Sequence, residues 1–156
     1  LSVESVYNYL GWLEKAFVIY RCQRYDMQGK SILKTQEKFY LADASLKYCI
    51  MGFNPKSVAA MLENIVYFEL RRKGYNVYIG KNAAKEIDFV AVRRDERIYV
   101  QVCRNLPEES DREVANLLEI NDHYPKYVVT LDELAGGNIN GVRIVHLADF
   151  LLSEEY

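Results

Sequence analysis

Glu86-Ile87-Asp88-Phe89-Val90-Ala91-Val92, followed past the turn-like Arg94-Asp95-Glu96 by Ile98-Tyr99-Val100-Gln101-Val102-Cys103, is the stretch from which the fold is read. Both runs are rich in β-branched and aromatic residues and are short enough to be strands of one hairpin. Strict alternation sets Asp88 on the side of Glu86 and Val90, with Ile87 and Phe89 opposite. It also sets Gln101 and Cys103 together on one face of the next strand. A carboxylate inside an apolar strand is costly to bury unless a cation, a metal or hydrogen-bond donors satisfy it.

Working outward, Asn76–Ile79 reads as a strand that precedes this hairpin, joined to it through Gly80-Lys81-Asn82. Before it, Asn54-Pro55 is a strong helix start, since asparagine caps and proline's fixed φ suits the first helical position. Ala59, Leu62, Val66 and Leu70 mark one face of that helix, and Gly74 ends it. Beyond the hairpin, residues 111–121 read as a helix, Tyr127–Leu131 and Val142–Leu147 as strands, and Ala148–Glu155 as a short terminal helix. Helices before and after a strand meander predict a mixed α/β (α+β) arrangement, a sheet covered on both faces.

The first third is organised differently. Val6, Leu10, Leu13 and Phe17 recur at helical spacing behind a capping Ser2, which predicts a helix over residues 3–16. A β-favouring run with Val18-Ile19-Tyr20, a polar tip over 26–30 and Lys38-Phe39-Tyr40-Leu41 then predict a hairpin. A helix feeding such a hairpin is half of a winged-helix unit. The expected division is a partial winged-helix-like segment over residues 1–54 and a second domain over 55–156.

Composition narrows the classes. Of 156 residues, 50% are apolar and 27% charged, so the chain can bury a core. Three cysteines without a CxxC pair and two distant histidines argue against a disulfide framework and a zinc site. No apolar run approaches the roughly 20 residues that span a bilayer, and no charged-then-apolar leader opens the chain, so the expected location is cytoplasmic and no membrane partner is expected. The opening Leu1-Ser2-Val3 suggests a piece of a longer protein. Residues 1–54 hold seven Lys and Arg against five Asp and Glu, and residues 55–156 thirteen against seventeen, so a local basic patch matters more than the sum.

An aspartate on one strand, then an acidic or amide residue, a gap and a lysine on the next, is the layout of the PD-(D/E)XK nucleases. In the intact form two carboxylates hold Mg2+, which lowers the pKa of a bound water, and the lysine steadies the developing charge. Glu63, on the helix before the sheet, stands where many such enzymes add another acid. The chain resembles, over nearly its whole length, the C-terminal region of unknown function that follows the ATPase module in prokaryotic AAA-type ATPases. Val6-Tyr7-Asn8-Tyr9-Leu10-Gly11-Trp12-Leu13-Glu14-Lys15-Ala16-Phe17, Lys38-Phe39-Tyr40-Leu41-Ala42-Asp43, Leu62-Glu63-Asn64, Glu86-Ile87-Asp88-Phe89-Val90 and Asp149-Phe150-Leu151 carry the likeness. The resemblance implies a winged-helix-like segment joined to a restriction-endonuclease-like domain, with a P-loop ATPase upstream. These residues contain no GxxxxGK[ST], so ATP binding would belong to that upstream module, the first expected partner.

The departures are as informative. Where the family often has Glu-Val-Lys, this chain has Gln101-Val102-Cys103. Gln101 keeps an uncharged oxygen, Cys103 supplies no cation, and Asp88 and Glu63 remain as the carried-over metal ligands. A lysine from elsewhere, such as Lys81 or Lys85, would have to replace the lost one, and nothing in the sequence singles one out. Ser45 stands where the family usually places glycine. Asp88 also has a plainer reading as a turn cap or an ion-pair partner of Arg104, and Cys103 as a small buried apolar residue.

For DNA, Arg21, Arg24, Lys30 and Lys34 around the hairpin and Arg71-Arg72-Lys73 ending the long helix are the expected phosphate contacts, although cations at a helix C-terminus also follow from the macrodipole. The helix bearing Tyr7, Asn8 and Trp12 is either a recognition helix or a packing helix. The thirteen tyrosines read first as core or interface residues, with base stacking as the further use. Three functions stay open: a DNA-associated accessory domain with a degenerate nuclease site, a protein-interaction module docking the ATPase or a partner, and a metal-dependent nuclease with a displaced lysine. An oligomer is compatible with each.

Overall fold

The computed structural model describes residues 1–106 and 112–156. Its centre is an eight-stranded mixed sheet. The strands are β1 (Ile19–Asp26), β2 (Ser31–Leu41), β3 (Asn76–Asn82), β4 (Lys85–Arg93), β5 (Glu96–Cys103), β6 (Lys126–Thr130), β7 (Gly137–Ile139) and β8 (Val142–His146). Their order is β2-β1-β3-β4-β5-β6-β8-β7, with parallel pairs at β1–β3, β5–β6 and β6–β8 and antiparallel pairs elsewhere.

Helix α1 (Val3–Lys15) is capped as expected, Ser2 accepting from the Ser5 amide, yet none of its residues is buried. α2 (Ser45–Met51) follows the hairpin and has no counterpart in the sequence reading. Asn54 accepts from the Lys56 amide over a short 3-10 turn, Pro55–Ser57, and the chain runs on into α3 (Val58–Arg72). Gly74, at φ +85°, turns it into β3, a conformation that costs glycine little. The helix expected over 111–121 is α4 (Arg112–Leu118), residue 111 lying outside the described residues. The last helix is α5 (Leu147–Leu152).

Two apolar layers sandwich the sheet. On one face Leu62, Val66, Tyr67 and Leu70 of α3 and Leu147 and Phe150 of α5 pack on Val77, Ile79, Phe89, Val100, Val102 and Val129. On the other, Val114 and Leu117 of α4 pack on Ile87, Val90, Tyr99, Cys103, Val128 and Ile144. The hairpin β1–β2 belongs to the same sheet, because Arg24, Tyr25 and Asp26 pair in parallel with Ile79, Gly80 and Lys81. The expected boundary at residues 54/55 falls in the connection between β2 and α3, with a sheet neighbour on either side of it.

The alternation expected of β4 is interrupted. Tyr78 pairs with Val90 but Gly80 with Ile87, so Asp88 and Phe89 together oppose one residue of β3. This bulge turns Val90 to the same layer as Ile87 while Phe89 stays with α3, which corrects the expectation of Val90 on the side opposite Ile87. Gly80 makes room for it: a Cβ there would stand 2.7 Å from Val90 Cγ2 and 2.9 Å from Ile87 Cβ.

Candidate functional site

At the bulge β4 and β5 stop pairing regularly, the last matched residues being Phe89 and Val100. Side chains take over where the ladder ends. The Val102 amide donates to Asp88 Oδ2 at 2.8 Å, and the Asp88 amide donates to Gln101 Oε1 at 3.3 Å. Asp88 and Gln101 are both buried, 7% exposed each. Hydrogen bonding thus offsets part of the cost of placing a carboxylate there. Glu86, Asp88 and Gln101 line a cavity of about 500 Å3 together with Ala115 and Asn116 of α4.

The charge that answers these acids comes from an unexpected strand. Lys38 of β2 places its ammonium 2.7 Å from Glu86 Oε1 and 3.4 Å from Glu63 Oε2. Arg24 of β1 reaches the other Glu86 oxygen at 2.6 Å. Burial pulls the Lys38 pKa down, but Glu86, Glu63 and Asp88 together outweigh it and hold the ammonium above its usual range. Burial likewise pushes Glu86 up, and the two cations overcome it, leaving that carboxyl below its usual range. Tyr40, beside Lys38 in the same strand, aims its hydroxyl at Glu63 Oε2 at 3.5 Å. Burial first, then the surrounding acids, raise this phenol far above its ordinary value, so it is a neutral donor. Cys22, paired with Lys38 across β1–β2, is buried, and burial pushes its thiol up to about 12 despite Lys38 and Arg71 nearby.

Of the four residues expected to form the degenerate site, the structure brings Glu63, Asp88 and Gln101 around the same strand ends, and seats Cys103 in the apolar layer under α4. Lys81 is exposed and Lys85 pairs with Glu119, while Lys38 provides the cation. One signal in the sequence pointed to it: alternation in Lys38-Phe39-Tyr40 sets the lysine on the face of the buried Tyr40. Among the described residues no group of three or more His, Cys, Asp or Glu side chains is arranged to hold a metal ion. Glu63 and Glu86 already share an ammonium, and Gln101 Oε1 already takes the Asp88 amide. As it stands, this donor set does not fit a divalent ion.

The expected phosphate contacts divide in two. Arg21 is clamped by Glu14 at 2.6 Å and Glu37 at 3.0 Å, and Arg24 by Glu86. Arg72 pairs with Glu69 at 2.8 Å, and Lys73 donates to the Ser153 carbonyl beneath the Tyr156 ring. Lys30, Lys34 and Arg71 are exposed and form no ion pair among the described residues.

Fold and site define a mixed α/β domain with a half-buried carboxylate cluster, neutralised by Lys38 and Arg24, at a strand bulge. The domain of unknown function DUF8612 matches residues 1–57. An uncharacterized protein of Haemophilus influenzae is 40% identical over 151 residues, 97% of this chain and 38% of that protein. The uncharacterized protein MJ1544 of Methanocaldococcus jannaschii is 30% identical over 119 residues, 73% of this chain and 26% of its own length. The chain thus spans well under half the length of these curated relatives. No solved structure matches it. Among the described residues no helix is long and apolar enough to cross a membrane.

Proposed function

We propose that this chain is a DNA-associated accessory domain built on a restriction-endonuclease-like core with a degenerate site, working as the C-terminal part of an AAA-type ATPase. The observation that carries the reading is the Lys38 ammonium, which stands between Glu63 and Glu86 and within the field of Asp88. A cation built into the protein neutralises the acids that a nuclease would spend on Mg2+, so shape is kept while the metal chemistry is given up. Helix α1 and the β1–β2 hairpin act as the winged-helix-like segment, and ATP is handled by the upstream module. Lys30, Lys34 and Arg71 are the cations left for phosphates.

Fluorescence anisotropy of a labelled DNA duplex at several salt concentrations, with and without Mg2+, tests it. The expected result is binding that weakens with salt by about 0.9 in logarithmic slope per phosphate contacted, with no cleavage when Mg2+ is added. Mg2+-dependent cleavage that Asp88→Ala abolishes would instead make the chain a nuclease, with Lys38 as the displaced lysine. Absence of binding at low salt would favour a protein-docking module. The exposed Tyr7, Trp12 and Phe17 along and just after α1 support that alternative.

A further inference from the structure

On the α4 side of the sheet, away from the carboxylate cluster, Asn76 pairs with Val92 and Val92 with Arg97, so three strands bring these residues into one row. The Arg97 guanidinium carbon lies 5.5 Å from the Tyr25 ring centre and 5.4 Å from that of Tyr124, so two aromatic rings bracket it. The groups beside it are the Tyr99 and Tyr25 hydroxyls, and among the described residues it forms no ion pair. Tyr78 stands next to Tyr25, ring centres 6.1 Å apart.

Two cavities adjoin this pair. One, of about 530 Å3, runs from Tyr25 and Arg97 to Tyr124, with Lys30, Asn82 and Asn121 at its rim. The other, of about 210 Å3, shares Tyr25 and Arg97 and ends on Tyr78. Two acids line the larger cavity, each answered by a lysine: Glu119 pairs with Lys85, and Asp122 accepts from the Tyr99 hydroxyl at 2.6 Å and pairs with Lys126 at 3.3 Å. Besides these lysine-paired acids, the space is lined by a planar cation, aromatic rings, amides and a flexible lysine. A guanidinium fork matches phosphate oxygens, and ring faces match an unpaired base.

We propose that the Arg97 cavity binds the nucleotide unit of a single strand, its phosphate on Arg97 with Lys30 at the rim and its base against Tyr25 and Tyr78. This deepens the DNA-associated reading by giving it a strand form and a site, because a base paired in a duplex cannot present its face to these rings. A free nucleotide offers the same chemistry, and competition separates the two sources.

The test is anisotropy of a labelled oligothymidylate in Mg2+-free buffer, with a labelled duplex in parallel and thymidine 5′-monophosphate as competitor. It compares the unchanged chain with Tyr25→Leu, Arg97→Ala, Arg97→Lys and the surface variant Lys30→Gln, whose fold circular dichroism checks. Tyr25→Leu should weaken single-strand binding about tenfold or more. Arg97→Ala and Lys30→Gln should each reduce the logarithmic salt slope by about 0.7, and Arg97→Lys should restore the slope but not the full affinity. Monophosphate competing as well as the oligonucleotide would assign the site to a free nucleotide and keep it. Folded variants that bind oligothymidylate as the unchanged chain does would overturn it. Duplex binding that persists with no single-strand binding would overturn it as well, while leaving the accessory-domain reading in place.

Discussion

Lys38 shows how one side chain can change the meaning of a constellation. Asp88 and Gln101 are legible from the spacing of two neighbouring strands, and Glu63 from the likeness to the PD-(D/E)XK layout. The cation that completes them stands on a strand before the helix of Glu63, and the parallel pairing of β1 with β3, with Asn64 of α3 bonding Leu41 of β2, brings its strand into place. Its two ion pairs give the fold a defined pH response. The Glu86 carboxyl is held below 4.5, so its contribution is present above that value and fades as pH falls through the lowered folded one. The Lys38 ammonium is held above 10.5, so its contribution is present below that value and fades as pH rises through the raised one. Replacing Lys38 by Met leaves Glu63 facing Glu86 with only Arg24 to answer them. This should cost about 1–2 kcal/mol at neutral pH, since the pair is partly solvated. It should also flatten the loss of stability below pH 4.5. Urea denaturation of both proteins across a pH series measures the two effects together.

Among the elements, those with a strong period or a capping residue were readable. These are α1 behind Ser2, α3 behind Asn54-Pro55, and the β3–β4–β5 meander between its turns. α2 was not, because it buries none of its residues and so leaves no apolar stripe. β7 was not, because three residues carry no period. The bulge in β4 was invisible for a different reason: the sequence of one strand does not reveal how many residues its neighbour sets against it. Yet the bulge decides the site, since it ends the ladder at Phe89 and Val100 and turns the Asp88 carboxylate toward the Val102 amide. Gly80 is its counterpart, and Gly80→Ala should destabilise the protein by about 1–3 kcal/mol through overpacking against Val90 and Ile87. A lowered urea midpoint at unchanged slope would register it, whereas an unchanged midpoint would mean that the bulge relaxes.

At the scale of the whole molecule, a chain expected to divide at residue 54 shares one sheet across that point. Each half was readable by its own local pattern, but the joint between them was not, because its ladder is three residue pairs between strands about 55 positions apart and its side-chain contacts, such as Lys38 with Glu86 and Tyr40 on Tyr67, are likewise distant in sequence. A backbone ladder so short predicts a gradient of protection. Backbone amides of β1 and β2 should exchange with deuterated water faster than those of β4, β5 and β6, and uniform protection across the sheet would contradict this. The same joint predicts an order of assembly. The meander from β3 to β5 closes on itself through short turns, while docking the hairpin requires closing a long loop and losing its entropy before parallel contacts return anything. Tyr25 rides on the hairpin and Arg97 on the meander, so the bracket around that guanidinium is complete only once the two have docked.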